Sequence, residues 1–255
     1  MKNLSIPIFI TLLYCGCKET SNKNLNYPNN ETISNVQGVP NDSLTYYFPD
    51  SIIVDSQVFQ TNLEVFKLNW YSSALFSAEE PILFNYYLGH DIYRFLWLRS
   101  FHKPMVFSLH KDGNKVWLTT KQLNKQPQFI DITWSKFVEP FVTADGEIDT
   151  ANFDENYNNR IDSVVKADRK ANIILNQTIP LSSEEWAEFE SLLNASSFWT
   201  SNPLETSFGL DGSEWIIEAH LKEKYWFVSR WSPKVGIRNA GAYLIEKSGV
   251  DEEIY

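Results

Sequence analysis

YRFLWLRSFHKPMVFSLHKDGNKVWLTTK, residues 93 to 121, holds three apolar runs divided by two clusters of breaking residues. Tyr93 to Phe101, Met105 to His110 and Lys115 to Lys121 are rich in aromatic and β-branched side chains, which favour extended backbone. His102-Lys103-Pro104 interrupts the first pair, because proline cannot donate to a strand ladder, and Lys111-Asp112-Gly113-Asn114 offers a tight turn between the second. Connections this short predict an antiparallel meander, since a parallel pair needs a crossover of roughly a dozen residues.

The flanking segments add helices and a second strand pair. Thr61 and Glu64 have capping-box spacing, and Leu63, Phe66, Trp70 and Ala74 follow at helical intervals, so a helix is expected from 62 to 78, ended by Glu80-Pro81. Ile173, Leu175 and Ile179 fall on one face of a further strand. It leads into Ser182 and Glu185, again at capping-box spacing, with Leu181 and Trp186 placed for a hydrophobic staple and Phe189 and Leu193 continuing the stripe, which predicts a helix over 183–194. Ser213 to Leu221 and Tyr225 to Trp231 read as a hairpin about Lys222-Glu223-Lys224, and Ala240 to Lys247 as a last helix stopped by Gly249. The fold class is therefore α+β, a mainly antiparallel sheet (meander plus C-terminal hairpin) with packed helices.

At the other end, LLYCGCKET (residues 12–20) holds both cysteines of the chain. Met1-Lys2-Asn3 gives a short positive start, and Leu4 to Tyr14 is too short for a spanning helix of ~20 apolar residues but fits the hydrophobic region of a secretory leader. Leu13-Tyr14-Cys15-Gly16-Cys17 resembles a bacterial lipobox, with the small Gly16 before Cys17. Of the two outcomes open to such a leader, ordinary removal and lipid attachment at a cysteine, these residues favour the second. The expected product therefore begins at a lipidated Cys17, after removal of residues 1–16, and has no free thiol. Lys18-Glu19 is similar to the charged tract that follows this cysteine in lipoproteins of the Bacteroidota. Cell-envelope localisation by a lipid anchor, in the outer membrane with a periplasmic or surface orientation, is what these features imply. From Ser21 to Ser43, asparagines separate isolated apolar residues. Residues 17–45 are accordingly expected to be anchor and flexible tether, and residues 46–255 a single α+β domain with a polar insertion at about 143–170.

Composition narrows the function classes. Removing the leader takes away Lys2 and leaves 21 basic against 32 acidic side chains, which argues against nucleic acid and against an electrostatic grip on anionic lipid. There is no G-x-S-x-G, H-E-x-x-H or phosphate-binding glycine loop, and the four histidines lack metal-ligand spacing. Asp154, Asn156, Asn158 and Asp162 occupy positions 1, 3, 5 and 9 of an EF-hand-like loop. Val165 stands where the closing bidentate Glu belongs, so the segment reads as a solvated acidic loop before it reads as a calcium site, and no other cofactor is expected.

Two groups of side chains are candidates for binding. On a strand Arg94 shares a face with Leu96 and Leu98, and Arg99 the other with Phe95 and Trp97, so each guanidinium beside apolar surface needs a partner such as Glu80, Asp91 or Glu218. With His102 these arginines form either an anion- or ligand-recognising corner or a set of structural ion pairs. In GLDGSEWIIE (209–218) and YWFVSRWSP (225–233), Trp215, Trp226 and Trp231 suit sugar rings if exposed and a hydrophobic core if buried.

These segments resemble, in this order, a set of uncharacterised bacterial proteins with an R-F-x-W-L-R-x-F-H-x-P segment, an L-S-x-x-E-W helix, and a G-L-D-G-x-x-W-I-x-E hairpin ending in R-W-S-P. Here these are Arg94 to Pro104, Leu181 to Trp186, Gly209 to Glu218 and Arg230 to Pro233. The resemblance covers residues 60 to 250 and implies one fold without an activity. The expected function is a lipid-anchored, non-catalytic interaction module with a protein or glycan partner. The alternative is an envelope hydrolase acting on a glycan or peptide, with Arg94, Arg99 and His102 converging in one pocket.

Overall fold

The computed structural model describes residues 26–54, 57–127, 145, 171–205 and 211–254. The central meander forms as β3 (Asp91–Arg99), β4 (Met105–Asp112) and β5 (Lys115–Leu123). It is extended by β6 (Ile173–Leu181) on one side and by the hairpin β7 (Ser213–Leu221) and β8 (Lys224–Trp231) on the other. The six strands lie in the order β6-β5-β4-β3-β7-β8, every pairing antiparallel. A separate hairpin pairs β1 (Ser51–Val54) with β2 (Gln57–Gln60). The helices are α1 (Val65–Ser77), α2 (Ser183–Ala195) and α3 (Ile237–Ser248).

Strand alternation separates the two faces of the large sheet. Tyr93, Phe95 and Trp97 of β3 lie beside Phe107 of β4 and Trp215 of β7, and α2 and α3 cover this aromatic face. Tyr93 meets Trp186 and Phe189 of α2 with ring centroids 4.9 and 5.1 Å apart. A Cβ on Gly241 of α3 would lie 2.5 Å from the Trp215 ring, so the helix backbone rests directly on the indole. The opposite face, with Arg94, Ser108, Glu218 and His220, is covered by α1 and by the chain flanking it, residues 26–50 and 78–90. The buried apolar side chains form one contiguous core through both layers.

Local signals behave differently at the two expected helix starts. At α2 Ser182 and Glu185 form the reciprocal capping box. At α1 Thr61 does not cap: its hydroxyl donates to Pro49 O and Asp50 O, at 2.8 and 3.1 Å, and the helix begins only after Glu64. A buried hydroxyl beside two carbonyls satisfies those instead of the helix amides, which shortens the expected 62–78 helix.

The tether expected through residue 45 is laid onto the domain from Tyr27 onward. Tyr27 is buried and donates to Leu221 O at 2.7 Å. Asn29 and Asn30 engage Asn85, whose amide donates to Asn30 O and to Ser34 Oγ, each at 2.8 Å. Gly38, at φ +78°, passes so close to Pro81 that a Cβ would sit 2.8 Å from the ring. The asparagines hold turns and cap backbone groups, a use of Asn that composition does not distinguish from a spacer. The leader with Cys17 and the acidic loop with Asp154, Asn156, Asn158 and Asp162 lie outside the described residues. No helix among the described residues is long and apolar enough to cross a membrane.

Candidate functional site

The ionisable residues of the sheet gather on the face beneath α1. Arg94, fully buried in mid-β3, has Glu218 of β7 and Ser108 of β4 as its cross-strand neighbours. Its Nε donates to Glu218 Oε2 at 2.7 Å, Nη2 lies 2.6 Å from the same oxygen as an ion-pair contact, and Nη1 donates to Pro81 O at 2.7 Å. Glu80, from the loop after α1, stands 3.7 Å from Nη1, receives Ser108 Oγ at 3.0 Å, and pairs with Lys121 of β5 at 2.8 Å. Tyr225 of β8 donates to the free oxygen of Glu218 at 2.9 Å.

Two cations thus face two carboxylates within the protein. Burial pulls the Glu80 carboxyl upward, but Arg94, Lys121 and Ser108 outweigh it and hold it below the ordinary value. The guanidinium of Arg94, penalised by burial, is held above its ordinary value by Glu218 and Glu80. A second balanced group lies under the start of α1. There Lys67 pairs with Glu214 at 3.1 Å, and Ser229 donates to that carboxylate while bonded to Tyr71. The arrangement fastens α1 and the loop after it to the sheet.

Histidine supplies a third fastening. His220 of β7 is fully buried; its Nε2 accepts from Leu88 N–H at 3.0 Å, while Nδ1, which must then carry the proton, donates to Leu83 O at 2.6 Å. Tyr87 stacks on the ring and Tyr27 meets it edge-on. Burial, with His90, Arg94 and His110 nearby, pushes its pKa down to about 3. His90 and His110 share a hydrogen bond of 3.0 Å, and His110 lies parallel to Trp117 at 4.9 Å. Burial and the neighbouring His90 lower His110 to about 4.

The expected corner of Arg94, Arg99 and His102 does not assemble. Successive strand positions point to opposite faces, so Arg99 lies across the sheet from Arg94. Arg99 packs over Trp97 at 4.2 Å, donates to Lys103 O, and pairs with Glu252 of the C-terminal segment at 2.6 Å. Its ends are spent holding the β3–β4 turn and residues 249–254 in place. His102 sits in the exposed turn itself. Asp91, the third carboxylate considered for the arginines, instead accepts from Tyr87 and from Lys222 N–H.

Nor do the three tryptophans form a platform. Trp215 is fully buried against Phe95 and Trp97, its Nε1 donating to Ser213 Oγ at 2.8 Å. Trp226 is buried on the same face with Phe59 edge-on against it. Trp231 is half-buried on the opposite face.

Two surface clefts lie away from the charged cluster. One, of about 390 Å³, is lined by Arg230, Trp231 and the chain entering α3. Arg230 there reaches Glu205 at 3.2 Å, and Gly236, at φ 71°, occupies the N-cap without a side-chain hydrogen bond. The other, of about 340 Å³, is lined by Pro28, Ile33, Tyr46, Phe48, Asp50 and Phe84 with neighbouring backbone. Among the described residues no three metal-ligating side chains come together.

Lys121, Ser108 and Tyr225 were not visible from sequence as members of the Arg94 cluster. Their signal is register: Ser108 and Thr119 lie in line with Arg94, and Lys121 is two residues beyond Thr119 on the same face. Compared with protein-family models, curated proteins and solved structures, the chain finds no match.

Proposed function

We propose that this chain is a lipid-anchored cell-envelope protein whose folded part is an interaction module rather than an enzyme. The leader over residues 1–16, followed directly by Cys17, supports the anchor. The observation that carries the interaction reading is the distribution of exposed apolar surface. Among the described residues, all but three (Phe101, Ile174 and Val235) of the exposed large apolar side chains fall between Val36 and Phe66. Contiguous exposed apolar surface marks contact with a partner, whereas scattered single residues need no explanation, and within this stretch Ile53 and Val58 lie directly opposite each other on the β1–β2 hairpin. The charged residues that suggested a catalytic corner are engaged in holding layers together.

Two measurements on cells test this. Labelled palmitate should enter the wild-type chain and not Cys17→Ala; equal labelling of both removes the anchor. A photo-crosslinking residue at Val58, in the apolar stretch, should give discrete adducts that the same residue at exposed Asn176 of β6 does not. The same adducts at both positions refute the interaction reading.

A further inference from the structure

The cleft at the foot of the β1–β2 hairpin has a chemistry that selects its occupant. Its walls are aromatic and proline surface from Tyr46, Phe48, Phe84, Pro28 and Pro49, and its charged side chain is Asp50. Residues 24–66 contain Glu31, Asp42, Asp50, Asp55 and Glu64 but no lysine, arginine or histidine. The exposed apolar side chains of this stretch thus share their segment with carboxylates and with no cation of its own.

The surface continues along the hairpin. Ser51, which lines the cleft, shares a strand face with Ile53, and Ile53 lies opposite Val58. Ile53 and Val58 are 51% and 61% exposed, so aliphatic surface runs on from the cleft. The outer edge of β2 pairs with no strand among the described residues, and Gln57–Gln60 carries none of the lysines, prolines or bulges that guard an edge. A volume of about 340 Å³ is at the low end for small-molecule pockets and suits one long side chain.

Building on the interaction reading above, we infer that this cleft and hairpin bind an extended polypeptide of another protein in which lysine or arginine alternates with aliphatic residues. The stem of one basic side chain lies against Tyr46, which is 37% exposed, where its cation also meets the aromatic ring, and its head reaches the Asp50 carboxylate. The aliphatic residues two positions along meet Ile53 and Val58, and an extended chain can add its backbone to the free edge of β2.

The probe is a fluorescein-labelled acetyl-(Lys-Val)4-amide, titrated by anisotropy against the whole lipidated chain in detergent micelles, with (Glu-Val)4 as counter-probe. Saturable binding of the lysine peptide alone is expected. Asp50→Asn should weaken it about fivefold, while Asp42→Asn, which removes an exposed charge elsewhere in the same stretch, should change it less than twofold. Equal losses in both variants mean diffuse attraction to an acidic protein and overturn the inference, as does equal binding of (Glu-Val)4. Concentration-dependent self-association abolished by Val58→Lys would assign the surface to a second copy, which also overturns it. Failure of the peptide with Val58 adducts still forming in cells leaves the interaction reading standing; loss of both removes both.

Discussion

Acid should loosen this fold through His220 in particular. In the native state its Nε2 must stay unprotonated to accept from Leu88 N–H, and both nitrogens are already engaged by backbone groups. Protonation would set two donors face to face inside the core, which with burial explains a pKa of about 3 against about 6.5 for the unfolded chain. Since the folded value is the lower, the unfolded state binds the extra proton between those values, and stability falls as pH falls through that window. From pH 7 to pH 5 the loss integrates to about 2 kcal/mol for this residue alone, at 1.36 kcal/mol per unit.

The assay is urea unfolding followed by tryptophan fluorescence at both pH values, for wild type and His220→Gln. The variant should be less stable at pH 7 by ~1–3 kcal/mol, because a buried hydrogen bond is lost. Its further loss on acidification should be smaller than that of wild type by about 2 kcal/mol, the contributions of His110 and the carboxylates being common to both. Parallel pH dependence in the two proteins would refute the reasoning.

Three other expectations follow from buried contacts. Glu218→Gln leaves Arg94 in the core with Glu80 at 3.7 Å as its remaining carboxylate, so unfolding free energy should drop by ~3–5 kcal/mol, and a loss below ~1 would show that the pair is solvated. Gly241→Ala gains up to ~1 kcal/mol of helix propensity but drives a methyl into the Trp215 ring, so a net loss of ~1–2 kcal/mol and altered tryptophan emission are expected; a stabilised variant would mean that α3 stands off the sheet. Ser182→Ala removes half of the capping box at α2 and should lower the denaturation midpoint by the equivalent of ~1 kcal/mol, with the same change at Thr61 acting through Pro49 and Asp50 rather than through α1 helicity.

Thr61 and Ser182 mark the boundary of what sequence could report. Both stand three residues before a glutamate at the head of an apolar stripe, yet only Ser182 caps, because the Thr61 hydroxyl meets carbonyls brought close by the turn before β1. The asparagines from Asn26 to Asn41 likewise have the composition of a spacer and the structural role of turn and cap formers. For the arginines, alternation placed Arg94 and Arg99 on different faces, but which of Glu80, Asp91 and Glu218 would answer Arg94 depended on strand register and on the path of the loop after α1.

By itself the sequence determined the antiparallel meander, the C-terminal hairpin and the α2 start, since each rests on alternation, turn chemistry or capping within a few residues. Tertiary structure alone decided that β6 and β7 flank the meander, that Trp215 and Trp226 are core, and that residues 27–45 join the domain. It also decided which carboxylate and which carbonyl each buried cation and histidine would meet. Those outcomes depend on groups far apart in the chain. An unpaired charge or imidazole in the core is costly enough that whatever partner the fold brings within reach becomes part of its stability.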